Sequence, residues 1–141
     1  MAINRREARE AVFTLLFETE FRRDETFETI FNTSSENREI GEDAYIRRVY
    51  FGVCENRERL DEVINRHAKG WKMTRISRVS RSILRLSAYE MLDCEDIPNS
   101  VSINEAVELC KKFDEEAARP FVNGVLNGIK DDIFMTSCLS C

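Results

Sequence analysis

Residues Pro98–Gly128 read PNSVSINEAVELCKKFDEEAARPFVNGVLNG, the stretch with the best local helix signals. Ser102 followed by Glu105 has the spacing of a capping box, in which the hydroxyl accepts from the Glu105 N–H and the carboxylate reaches back to the Ser102 N–H. Val101 and Ala106 complete a hydrophobic staple around that cap. Ile103, Ala106, Val107, Cys110 and Phe113 then recur at helical spacing, so the predicted helix buries one face. An acidic connector, Asp114 to Ala118, leads to Pro120, tolerated in a first helical turn because its missing N–H has no intrahelical partner there. Val122, Val125, Leu126, Ile129 and Ile133 form the next apolar stripe. Two such stripes joined by a short connector predict an antiparallel helix pair.

Moving toward the N-terminus, Met91–Asn99 reads as a helix end and a turn before Pro98. Residues 63–89 contain no acid and carry Arg66, Lys69, Lys72, Arg75, Arg78, Arg81 and Arg85. Arg78, Arg81 and Arg85 share one helix face, opposite Ile76, Val79, Ile83 and Leu86. That basic face is either a solvated surface answered by acids on a neighbouring helix, or a docking surface for RNA or an acidic partner. Trp71, after Gly70 in a connector, reads as a plug for the core rather than as a ring that stacks on a ligand. Residues 42–68 are helical, split by the polar stretch Glu55 to Arg59. Asn32 to Glu39 reads as a loop, and residues 24–32 as a short helix.

Residues 4–20 predict a helix capped by Asn4, with Ala8, Ala11, Val12, Leu15 and Leu16 facing inward. Arg5, Arg6 and Arg9 crowd its start, the end where the helix dipole disfavours cations. An anionic partner explains three arginines there. So does a solvated face with Glu7 and Glu10 as neighbours, and both readings stand. Phe13 reads as core. Beyond Ile133 periodicity is lost, and residues 137–141 are expected to fray.

At 141 residues the chain has single-domain length, and residues 1–136 are read as one helical domain. A net charge of −5 argues against indiscriminate coating of nucleic acid. Five cysteines (Cys54, Cys94, Cys110, Cys138, Cys141), several on apolar faces, suit a reducing cytoplasm. No apolar run approaches the roughly 18 residues that suggest a membrane helix. Chemistry is sparse. His67 is the only histidine, and Cys138-x-x-Cys141 has no second pair of that spacing to complete a four-ligand metal site. There is no glycine-rich phosphate loop. The expectation is a binding module rather than an enzyme, with no cofactor and no metal.

RLSAYEML (Arg85–Leu92), IPNSVSINEAVELCKKF (Ile97–Phe113) and FVNGVLN (Phe121–Asn127), with the opening NRREAREAVFTLLFE, resemble the NusB family of transcription antitermination factors over essentially the full chain. The resemblance implies an all-α fold of about seven helices in two small bundles packed around the N-terminal helix. It implies pairing with NusE, a small-subunit ribosomal protein, and joint binding of single-stranded boxA RNA in nascent transcripts, notably of ribosomal RNA operons. Read-through by the RNA polymerase antitermination complex would follow, with the protein a monomer or homodimer.

By position, Arg5, Arg6, Arg9, Phe17 and Phe121 match the family's RNA-contacting residues. Arg78, Ser80 and Arg81 match part of its NusE-facing side. Arginines for phosphates beside rings for bases are what single-stranded RNA recognition uses. The chain departs from the family pattern at AARPF before the FVNGVL block, at Asn127 in place of an acid, and at Cys110 in place of alanine. Two other classes remain open: a docking or dimerisation scaffold without its own RNA specificity, and the NusB-like domain of an RNA cytosine methyltransferase.

Overall fold

The computed structural model describes residues 3–35 and 43–139. Among these it holds seven α-helices, one 3-10 turn and no strand, the all-α fold expected. The chain divides into two compact units, Met1–Asn56 and Arg57–Cys141.

Unit 1 contains α1 (Arg5–Thr19), α2 (Phe27–Ser35) and α3 (Ala44–Glu55), with α1 packed on both others. Asn4 caps α1 as expected, its Oδ1 accepting from the Glu7 N–H at 2.8 Å. Val12, Leu15, Leu16, Ile30, Phe31, Ile46, Val49, Tyr50 and Val53 form the core. Tyr50 meets the Thr19 hydroxyl at 2.7 Å, and burial raises its phenol well above the ordinary value. Arg22 ties the α1–α2 connection together: Nη1 donates to Glu18 at 3.1 Å, and Nη2 donates to Glu25 at 2.6 Å and to Thr33 at 3.0 Å. The predicted loop at 32–39 starts later than expected, because α2 continues to Ser35. The Thr33 hydroxyl back-bonds to the Thr29 carbonyl at 2.9 Å, so a loop-prone residue is held in the helix. Residues 36–39 lie outside the described residues.

Unit 2 contains α4 (Arg57–His67), the 3-10 turn Met73–Arg75, α5 (Arg78–Asp93), α6 (Asn99–Phe113) and α7 (Ala118–Leu139). The predicted split of residues 42–68 falls at Asn56, between α3 and α4. Helix α5 packs on α4, α6 and α7, and α6 and α7 pack on each other as their stripes predict. Every residue of α5 from Ser82 to Met91 is buried, so this helix is the centre of the unit. Three of its polar members, Ser82, Arg85 and Glu90, are paired. Arg85 donates to Asp61 through Nε at 2.7 Å and Nη2 at 2.9 Å. The Ser82 hydroxyl donates to the Arg78 carbonyl at 2.8 Å, and Glu90 accepts from Ser102 at 2.8 Å.

That last bond overturns the predicted capping box. Helix α6 starts a turn earlier, with Pro98 at the N-cap, and the Ser102 N–H already bonds the Pro98 carbonyl at 3.2 Å. A buried carboxylate needs a donor more than an exposed helix end needs a cap, so the Ser102 hydroxyl faces Glu90. Phe113 ends the predicted stripe but is 39% exposed. Pro120 sits in the first turn of α7, as expected, and the helix runs on to Leu139, past Ile133. The side chains of Ser137 and Leu139, together with Cys138 and Cys141, lie outside the described residues.

At Gly128, α7 passes against α4. A Cβ there would stand 2.6 Å from His67 Nδ1 and 3.3 Å from its Cβ. To make room the imidazole must shift and strain its contact with Asp132, whose Oδ2 lies 2.6 Å from Nε2. Gly128→Ala is therefore expected to lower stability by about 1–3 kcal/mol, despite the roughly 1 kcal/mol by which alanine favours a helix. Gly124, exposed on the same helix with nothing within 4 Å of a Cβ, is the control. Gly124→Ala should raise stability by about 0.4–1 kcal/mol. Urea melts of the two variants check the opposite signs.

Candidate functional site

Arg5, Arg9, Phe13, Phe17 and Phe21 follow at intervals of four, the spacing that stacks side chains along one helix face. The Arg5 guanidinium lies 4.3 Å over the Tyr45 ring, and that of Arg9 lies 5.8 Å from the same ring. Arg5 and Arg6 are exposed, whereas Arg9 is turned inward and only 4% exposed. Phe13 is buried, as expected for core. Phe17 is half-buried between Phe13, stacked at 6.2 Å, and Phe21, edge-on at 5.2 Å. Phe21 is 57% exposed, so the rings run from core to solvent along the helix and past its end. The arginines at the start of α1 thus share a stripe with aromatic rings, the pairing for which the sequence offered two readings.

Phe121 lies in unit 2, half-buried, with Trp71 at 6.4 Å and an interplanar angle of 67°. Trp71 does not plug the core: its indole is 52% exposed. Lys69 and Gly70 take left-handed backbone (φ 48° and 91°) immediately before it. Reversing the chain this way after α4 turns the indole outward. Trp71, Arg75, Ser77, Phe113, Glu115 and Phe121 line a cavity of about 740 Å³. The family departure at AARPF leaves the start of α7 helical. Asn127 hydrogen-bonds back to Asn123, through Nδ2 to the carbonyl at 2.8 Å.

Arg78, Ser80 and Arg81, expected on a partner-facing side, are not gathered on one surface. Arg78 is exposed, but Ser80 is buried and donates to Asp114. Arg81 is half-buried, with Nη1 on the Met73 carbonyl at 2.9 Å. Arg85, on Asp61 of α4, is answered by an acid of a neighbouring helix.

Cys54, Cys94 and Cys110 are buried free thiols. Burial, with the Asp114 carboxylate nearby, pushes Cys110 up to about 12, so it stays protonated. Among the described residues no cluster of His, Cys, Asp or Glu is arranged to hold a metal, and no helix is long and apolar enough to cross a membrane. Sequence reasoning missed Tyr45, Phe21, Phe113 and the exposure of Trp71. For Trp71 a signal existed: Gly70 before it and Lys69 and Lys72 around it.

Fold and surface together define a class: small all-α proteins of two helical units that present a basic helix start and exposed aromatic rings. Residues 6–131 match the NusB family. The transcription antitermination protein NusB of Clostridium perfringens (strain SM101 / Type A) is 43% identical over 135 residues, 93% of this chain and 99% of that protein. The protein of the same name from Bacillus subtilis (strain 168) is 44% identical over 131 residues, 93% and 98% of the two chains. Among solved structures, T. maritima NusB is similar with a TM-score of 0.81 and 41% identity over 92% of each chain. The structure of antitermination factors NusB and NusE in complex with dsRNA contains a similar chain, with a TM-score of 0.80 and 27% identity over 91% of this chain and 96% of that one. The chain belongs to the NusB family.

Proposed function

We propose that this chain is a transcription antitermination factor that binds boxA-like single-stranded RNA together with NusE and helps the RNA polymerase complex read through terminators. Residues 1–136 act as one domain in the cytoplasm, as a binding factor and not an enzyme. The observation that carries the reading is the α1 stripe, in which arginines crowded at a positive helix end continue into partly exposed rings. The similar NusB chain solved with NusE and RNA supports it. Arg5 and Arg6 meet phosphates, and Arg9, beneath them, steadies the cationic face on Tyr45. Phe17 and Phe121 offer apolar surface to bases. Arg78 leads the NusE-facing side, with Ser80 and Arg81 shaping it from within.

Anisotropy titration of a labelled boxA-like RNA, with and without NusE, tests this. Binding alone is expected to be weak, given the acidic net charge, and stronger with NusE. Arg6→Ala is expected to weaken binding about 3- to 10-fold, to make the salt slope shallower by about 0.7, and to leave the circular dichroism unchanged. RNA that binds in neither mixture while NusE still binds would leave a protein-docking scaffold instead.

A further inference from the structure

The RNA reading uses the α1 stripe and Phe121, and leaves the most exposed large ring of unit 2's cavity without a role. Trp71 stands on a left-handed turn whose Lys69, a non-glycine residue, accepts a φ of 48°. L-residues occupy that region at a cost of about 1–2 kcal/mol. The turn leaves an indole 52% exposed that could have been buried. Among the described residues its ring neighbour is Phe121, the two planes inclined at 67°. The indole lines the cavity with half of its surface exposed, which leaves ring surface available to a ligand. Phe113, 39% exposed, adds apolar surface from the end of α6.

Charge selects the occupant. Lys69, Lys72 and Arg75 are exposed around Trp71, and residues 63–89 contain no acid. Arg75 lines the cavity, and so do Asp114, accepting from Ser80, and exposed Glu115. Like charge disfavours phosphates beside these two carboxylates and leaves Arg75, with Lys72 next to Trp71 in the chain, to meet them. A ring for the π-face of a base, flanked by cations for its backbone, is how single-stranded nucleic acid is held. We propose that Trp71 is a base-stacking residue: an unpaired base of single-stranded RNA lies on the open indole face, with flanking phosphates against Lys72 and Arg75. This rests on the RNA-binding reading above.

Trp71 is the only tryptophan in the chain, so its emission reports the site directly. The native protein is titrated with boxA-like RNA, alone and with NusE, reading emission (less that of NusE) beside anisotropy of the labelled RNA. Quenching that saturates along the anisotropy curve is expected, with no quenching by inorganic phosphate. Trp71→Ala should weaken RNA binding about 5- to 100-fold, as for loss of one stacked base, while Trp71→Phe keeps most of the affinity. RNA binding with unchanged emission and an unaffected Trp71→Ala variant overturns this proposal and leaves the RNA-binding reading standing. Emission that responds to NusE but not to RNA also overturns it, giving the groove to a protein. No RNA binding by the native chain in either mixture overturns both.

Discussion

Asp61→Ala is expected to lower the stability of the protein by about 3 kcal/mol, the low end of the range for breaking a buried ion pair. Asp61 is the carboxylate that receives Arg85 through two parallel hydrogen bonds, at 2.7 and 2.9 Å. The Arg85 side chain is 9% exposed and that of Asp61 25%. A pair at a protein surface contributes about 0–1 kcal/mol. Here the guanidinium sits in the most buried helix of unit 2, where little water reaches it to replace the lost carboxylate. For a chain of this size the loss corresponds to a fall in Tm of roughly 10 °C. Asp61→Asn, which keeps one acceptor, should lose less. The double variant Asp61→Leu with Arg85→Met should recover most of the stability, because removing both charges also removes their desolvation penalty. Urea denaturation of the native protein and the three variants reads these differences. A single-variant loss below 1 kcal/mol would mean that the pair behaves as a surface contact.

Phe31→Ala is expected to cost about 3–5 kcal/mol in unit 1. Phe31 is 1% exposed. Its ring lies 5.9 Å from that of Tyr50 and 5.1 Å from that of Phe51, with the Arg47 guanidinium 4.9 Å over its face. Alanine would remove the ring contacts and the cation's seat together, leaving a cavity beside Tyr50 and Phe51 that a close-packed core fills only in part. Phe31→Leu, which keeps most of the volume, should cost less than half as much. Unfolding followed by far-ultraviolet circular dichroism reads the loss. Equal midpoints for native protein and Phe31→Ala would contradict the packing described for unit 1.

Much of this was legible in the residues. The Asn4 cap, the inward stripe of α1, the break near Asn56 and the packing of α6 on α7 all depend on short-range spacing, which a sequence displays directly. The resemblance to the NusB family rested on blocks of sequence taken in order, and the family match over residues 6–131 spans nearly all of them. The positions of Arg5 and Arg6 at the start of α1 and of Phe17 in its last turn could be read in the same way. The inward turn of Arg9 could not, because it depends on Tyr45, 36 residues away on another helix.

What the sequence by itself determined is the set of helices, their apolar faces and the family they belong to, because helical periodicity and caps are properties of neighbours within a few residues. Tertiary structure decided which polar side chains turn inward. Ser102 looks like a helix cap and Arg85 like part of a basic surface, yet one answers the buried Glu90 and the other the Asp61 carboxylate. It also decided that Trp71, read as a core plug, stands in solvent after two left-handed residues. The physical reason is common to all three. Burial is set by what the rest of the fold brings alongside a residue, and a buried charge or a reversed turn outweighs local preference.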